Sequence, residues 1–146
     1  MRSMFSRLHS IPEAYLALLG FVSLTLCLVS TVVISRVFQV LAGLAKASAF
    51  GRGTINSPEP DFIKRVGQAH LNCAENLPLL FGVVLVAHFL GKIGVVNQYA
   101  SLFIVLRVVQ SLAHIANNTR FFFLFIRVTA FIGQILILAF WIIHLI

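Results

Sequence analysis

Four polar side chains occur at helical spacing within Lys64–Leu80, a stretch that leads into an apolar segment. They are spaced at i, i+3, i+7 and i+10, so they would share one face of a helix. The four residues are Arg65, Gln68, Asn72 and Glu75. An amide and a carboxylate carried toward lipid are costly unless they find partners inside a helical bundle. This stripe is therefore the first candidate functional site.

Two further polar stripes follow later in the chain. One consists of Arg107, Gln110 and His114, and the other of Arg127, Phe131 and Gln134. If successive helices alternate in direction, both stripes lie in the same half of the bundle as the first. The three stripes are therefore expected to form one polar layer, although they are far apart in sequence.

Each of these residues also has a simpler explanation. An isolated arginine can extend to lipid headgroups, a lone histidine can be a hydrogen-bonded core residue, and Asn72 with Glu75 can join neighbouring helices. Headgroup contact explains the cations but not the amides and the carboxylate beside them. A polar pocket open to one side of the membrane explains both. Such a pocket would suit a small ligand with carboxylate and amino groups, next to an apolar co-substrate in the lipid.

Other common site chemistries are not indicated. His70 and Cys73 lie at i, i+3, but no further ligands follow at zinc spacing, so no metal site is predicted. A Ser/His/Asp set cannot be assembled, and the glycines of residues 51–53 are too short a signal for a phosphate loop. The net charge is +7, and the 11 Lys and Arg residues are dispersed around apolar segments. Nucleic acid is therefore not an expected partner.

The composition is that of an integral membrane protein. Of the 146 residues, 60% are hydrophobic and 10% are charged, against about one quarter charged in soluble domains. The apolar run of residues 14–34 is too long for a cleaved signal peptide, so we interpret it as a retained span. Cys27 and Cys73 lie in apolar or helical contexts and are expected to be free thiols.

The apolar segments predict an all-α fold, an integral membrane four-helix up-and-down bundle formed by one domain of residues 1–146. The expected helices cover approximately residues 12–47, 61–90, 96–116 and 121–146. The first exceeds the ~20 residues needed to cross hydrocarbon. Its second half, with Arg36, Gln39 and Lys46, is therefore expected to project beyond the lipid.

Lys and Arg near the span ends predict the orientation. The first loop is flanked by Lys46, Arg52, Lys64 and Arg65, and the third by Arg107, Arg120 and Arg127. The opposite side has only Arg2, Arg7 and Lys92. By the positive-inside rule, loops one and three are cytoplasmic and both termini are on the other side.

The segment RVGQAHLNCAENLPLL resembles the second-helix signature of the MAPEG family, the membrane-associated proteins in eicosanoid and glutathione metabolism. The resemblance includes Arg65, the Ala69-His70 pair, Asn72, Glu75 and Pro78. A second similar segment contains Arg107, Gln110 and His114 and precedes Arg127. The order of four apolar spans extends the resemblance over nearly the whole chain.

This resemblance implies a homotrimer of four-helix subunits that binds glutathione between subunits near the cytoplasmic face. Arg127 matches the arginine that stabilises the glutathione thiolate in enzyme members. The positions implied to hold the tripeptide are Arg65, Gln68, Asn72, Glu75, Gln110 and His114, with Arg52 as the first-loop cation and Lys46 as its substitute. Family enzymes often have Arg where this chain has Gln68, and Tyr where it has His114 and Phe131.

The resulting hypothesis is a membrane-bound glutathione transferase or peroxidase that acts on lipophilic electrophiles or lipid hydroperoxides. The expected partners are glutathione, a lipophilic small molecule and membrane lipid. The alternative is a non-catalytic lipid-binding or scaffolding protein of the same fold, in which the polar layer holds the subunits together. The expected location is the inner membrane of a bacterial cell or the endoplasmic reticulum membrane of a eukaryotic one.

Overall fold

The computed structural model describes residues 11–50, 58–116 and 121–146, and the part of the chain it describes contains helices and no strands. Four long helices are present: α1 (Glu13–Leu41), α2 (Asp61–Phe89), α3 (Ile93–Ala116) and α4 (Phe121–Leu145). A short 3₁₀ helix, Ala47–Phe50, follows α1. All four helices have the length and the apolar composition needed to cross a membrane.

Glycines in the left-handed conformation end the first two helices. Gly43 has φ of 70°, and the amides of Gly43 and Leu44 donate to the carbonyls of Val40 and Gln39. This Schellman-type ending satisfies carbonyls that the helix leaves unpaired. It stops α1 at Leu41, short of the predicted limit at residue 47.

The same motif at Gly91, with φ of 67°, ends α2 at Phe89. It also makes the second connection very short, so α3 begins at Ile93, earlier than the predicted residue 96. The internal Pro78 does not interrupt α2. Because proline lacks an amide hydrogen, it removes one helical hydrogen bond, and the neighbouring turns continue past it.

Contacts at the helix ends show that the four helices run alternately up and down. The amide of Ala14 at the start of α1 donates to Asn97 Oδ1 at the start of α3 over 2.9 Å. At the other end of the bundle, Arg65 Nε near the start of α2 donates to the carbonyl of Ile115 near the end of α3 over 2.8 Å. Helix α3 packs against the other three, whereas α1 and α4 do not touch within the described residues. The alternation places the polar ends of α2, α3 and α4 together.

The half of the bundle opposite these polar ends has an aromatic core. Trp141 of α4 lies 5.4 Å from Phe103 of α3, and Phe103 lies 6.3 Å from Phe21 of α1, measured between ring centroids. All three side chains are almost fully buried. By contrast, large apolar side chains such as Leu136 and Phe89 are exposed on the outer surface. An exterior of this kind is stable in lipid and not in water.

Candidate functional site

Arg107 is at the centre of a polar cluster that joins α2, α3 and α4. It is fully buried, and its Nη1 donates to Asn72 Oδ1 over 2.6 Å and to Gln110 Oε1 over 2.8 Å. Gln134 of α4 donates from Nε2 to the same Gln110 oxygen over 2.9 Å. Three of the predicted polar positions thus meet in one cluster around this arginine, namely Asn72, Gln110 and Gln134. The sequence stripes contained Arg107, but the resemblance assigned it no ligand-binding role.

The guanidinium of Arg107 has further donors that the described residues do not use. Its Nε and Nη2 are buried and have no hydrogen-bond partner there. The guanidinium carbon lies 4.7 Å from the centroid of the Phe21 ring, a cation–π contact. A buried guanidinium with unpaired donors is costly, so it indicates a functional constraint. Its free donors suit a carboxylate or another anionic group.

Next to this cluster lies a buried thiol. Cys73 is fully buried, and its Sγ lies 3.5 Å from Ser111 Oγ of α3. Neither Cys73 nor Cys27 forms a disulfide, as predicted. Cys73 follows Asn72 on α2, so its packing against α3 helps to orient the Asn72 amide toward Arg107.

A second pair in the polar layer lies nearer the α3 C-terminus. His114 is buried, and its Nε2 lies 3.2 Å from Gln68 Oε1 of α2. Arg127 of α4 is half-buried and lies within two turns of the start of that helix, at the end of the bundle where α3 ends. The cation at the start of α4 is therefore in the same layer as the amides of α2. Phe131, one turn further along α4, is also half-buried.

Glu75 does not contact this cluster, because it is exposed on the outer surface of the subunit. At 3.6 residues per turn, it is rotated about 80° from Arg65 around the α2 axis. Gln68, rotated about 60° to the same side, is exposed as well. The first stripe is thus wider than one contact face. Its inner edge packs on α3, whereas Glu75 at its outer edge is on the surface. Gln68 is also exposed, but its amide still reaches His114.

One ion pair was not anticipated from the sequence. Arg36 Nε donates to Glu59 Oε1 over 2.5 Å, and the guanidinium carbon lies 5.7 Å from the centroid of the Phe50 ring. This contact ties the end of α1 to the segment that precedes α2. The sequence did contain one signal for this ion pair. The chain has only four acidic residues for 11 Lys and Arg residues, so an acid such as Glu59 would be expected to pair with a cation. The expected first-loop cation, Arg52, lies outside the described residues, and Lys46 is exposed.

Together, the fold and the cluster define a membrane protein of four helices with a polar layer in one half of its bundle. The sequence model of the MAPEG family matches residues 13–146, and the chain belongs to that family. It is an integral membrane protein, as predicted. The family contains glutathione transferases and peroxidases, and also members without enzymatic activity. Searches of curated proteins and of solved structures gave no match.

Proposed function

We propose that this protein is a membrane-bound glutathione transferase or peroxidase. The observation that carries the proposal is Arg107, a fully buried guanidinium with donors unused by the described residues, held in place by Asn72 and Gln110. Glutathione has two carboxylates, and an anion near this cation would offset the cost of its burial. Family membership supports the same ligand.

In this proposal Arg127 acts on the thiol of glutathione. A thiol has a pKa of about 8.5 and is mostly protonated at neutral pH, and a neighbouring guanidinium lowers that pKa. The thiolate then attacks a lipophilic electrophile R–X, forming the GS–R bond and expelling X⁻. With a hydroperoxide, two glutathiones are oxidised to the disulfide while ROOH is reduced to ROH and water.

The other predicted residues would orient the tripeptide. Arg65, Gln68, Asn72, Gln110 and His114 are the proposed ligands within the described layer, with Glu75 on its outer edge and Arg52 from the first loop. Glu75 is exposed on the outer surface, so it would meet the glutathione of a site shared with a neighbouring subunit. The electrophile would enter sideways from lipid along apolar helix surfaces.

The decisive experiment is conjugation of glutathione to a generic aryl halide by the purified protein in mild detergent. The proposal expects turnover above the uncatalysed rate, with saturation in glutathione. Glutathione binding without turnover would support the family fold without the enzyme. If glutathione neither binds nor reacts, the alternative stands, namely a lipid-binding or scaffolding protein. The direct Arg107–Asn72 and Gln134–Gln110 hydrogen bonds favour that alternative, because they already join three helices without a ligand.

We further propose a homotrimer, from the position of Glu75. It lies near the middle of α2 and is exposed, and a carboxylate facing hydrocarbon there is unfavourable. A neighbouring subunit would remove that contact with lipid. Native mass spectrometry in mild detergent is expected to show three chains, and Glu75→Leu is expected to change the assembly more than Leu136→Ala on the outer surface of α4. A wild-type monomer that retains activity would contradict both the assembly and the shared site.

The polar layer is proposed to lie in the cytoplasmic half of the membrane, with loops one and three cytoplasmic. Single cysteines introduced at Ser57 and Asn118 should react with an impermeant reagent from the cytoplasmic side, and those at Ser3 and Asn97 from the other. The unmodified protein controls for Cys27 and Cys73. Equal labelling of all four positions in sealed vesicles would exclude this orientation.

A further inference from the structure

A cavity lies in the other half of the bundle, between the start of α1 and the end of α2. Its volume is about 310 Å³, and it is lined by Tyr15, Leu18, Phe81, Val84, Leu85 and His88. The four α2 residues are spaced at i, i+3, i+4 and i+7, so they form one continuous stripe. The volume is near the lower limit of small-molecule sites. The residues proposed to bind glutathione do not line it.

The polar end of this cavity is a hydrogen-bonded pair. Tyr15 Oη and His88 Nδ1 are 2.6 Å apart, and the two rings are in an edge-to-face arrangement with centroids 6.1 Å apart. If Tyr15 donates to Nδ1, the imidazole carries its hydrogen on Nε2 and can donate it elsewhere. If Nδ1 donates instead, the Tyr15 hydroxyl hydrogen remains available. In either tautomer the neutral pair has one further donor, which suits a ligand with an acceptor oxygen.

The rest of the cavity suits a hydrocarbon chain. Phe81 and Leu85 are 51% and 40% exposed, so the cavity is open along its side toward the surroundings of the subunit. From His88 to Phe81 the stripe extends about 10 Å along the helix axis, at 1.5 Å per residue. A chain whose acceptor oxygen contacts the pair would therefore lie along apolar side chains over that length.

The chemistry of the lining distinguishes between two kinds of acceptor. None of the six lining residues is a lysine, an arginine or an acid. A fatty-acid carboxylate removed from water requires a cation, whereas an ester carbonyl requires only a hydrogen bond. Ester carbonyls of phospholipids lie just inside the headgroups, at the depth expected for the last turn of one spanning helix and the first turns of another. The lining therefore favours the ester.

We propose that this cavity binds one acyl chain of a membrane glycerophospholipid, with the ester carbonyl accepting a hydrogen bond from the Tyr15–His88 pair. The site is separate from the polar layer and does not depend on glutathione binding. A bound acyl chain would fill the space between α1 and α2 in the half of the bundle opposite the polar layer.

The test uses the full-length protein in lipid nanodiscs that contain phosphatidylcholine with a photoreactive acyl chain. Mass spectrometry of the crosslinked peptides is expected to show labelling enriched in residues 81–88 over the exposed surface of α4. Leu85→Trp should fill the cavity, preserve the Tyr15–His88 bond and reduce this labelling several-fold. Leu136→Trp, on the exposed surface of α4, is the matched control and should leave it unchanged.

Competition identifies the acceptor. Unlabelled diacyl phosphatidylcholine should displace the probe about three- to tenfold better than its dialkyl ether analogue, which lacks the carbonyl, as expected for one hydrogen bond. Tyr15→Phe combined with His88→Leu removes both donors, so it should abolish this difference and leave the cavity in place. Labelling of residues 81–88 no greater than that of α4, as would result if a second copy of the chain covered them, would overturn the proposal. Stronger competition by a free fatty acid would overturn the choice of ester.

Discussion

Replacement of Arg127 by glutamine is expected to lower the rate of glutathione conjugation at neutral pH by about ten- to thirtyfold. The reason is the loss of a positive charge from the polar layer, where Arg127 lies half-buried near the start of α4. If its guanidinium lowers the pKa of the glutathione thiol by about one to two units, that shift corresponds to roughly 1.4 to 3 kcal/mol. Without the charge, less of the bound glutathione is thiolate, and the rate falls with it.

The pH dependence separates this role from a structural one. In Arg127→Gln the thiol pKa returns toward about 8.5, so the rate should rise as pH increases through that value. In the wild-type protein the thiol pKa would be lower by this shift of about one to two units, so the rate should level off at a correspondingly lower pH. Ultraviolet difference absorbance during glutathione titration measures the thiolate directly. A variant that had only lost its structure would not recover activity at high pH.

Two other cations serve as controls. Lys64→Gln removes an exposed charge from α2, where Lys64 Nζ lies 3.7 Å from Asp61 Oδ1, and should change the rate little. Arg120→Gln, outside the described residues, should also have a small effect. If Arg120→Gln abolishes the thiolate signal while Arg127→Gln retains it, the thiolate-stabilising arginine is Arg120.

Replacement of Arg107 by methionine is expected to weaken ligand binding without lowering the stability of the apoprotein. Methionine keeps much of the side-chain length and removes a fully buried charge that pairs with no carboxylate in the described residues. The effective penalty for burying an ion is several kcal/mol, whereas each hydrogen bond lost is worth about 1 to 3 kcal/mol. Gln110 Oε1 would still accept from Gln134. Because two hydrogen bonds are lost, the two effects are of similar size, so the temperature of thermal unfolding without glutathione should change little.

The same substitution should weaken glutathione binding by about ten- to hundredfold, which is the loss of one charge-assisted interaction. Isothermal titration of glutathione and thermal unfolding of the apoprotein give the two quantities independently. Gln134→Leu is the matched comparison, because it removes another member of the cluster without removing charge. If Arg107→Met strongly destabilises the apoprotein and leaves glutathione affinity unchanged, Arg107 is a structural tie between helices, and the scaffolding alternative gains support.

The sequence by itself determined the class of protein and the polar layer. Apolar segments longer than a bilayer is thick specify spanning helices, because hydrocarbon leaves the backbone no other hydrogen-bond partners. The periodicity of the stripes and the alternation of helix direction then place Asn72, Gln110 and Gln134 at one depth. Those inferences depend only on local geometry, which the order of residues fixes.

Tertiary structure decided which polar groups meet. The rotation of each helix about its axis, set by side-chain packing, brings Asn72 to Arg107 and leaves Glu75 on the outer surface. The pairing of Tyr15 with His88 joins residues 73 positions apart and depends on the same rotations. A polar stripe covers a wide arc of a helix, and the sequence of the stripe does not determine which of its edges faces the neighbouring helix. That choice follows from the combined packing of α1 to α4, because burial of one apolar face fixes the rotation for every polar residue on the helix.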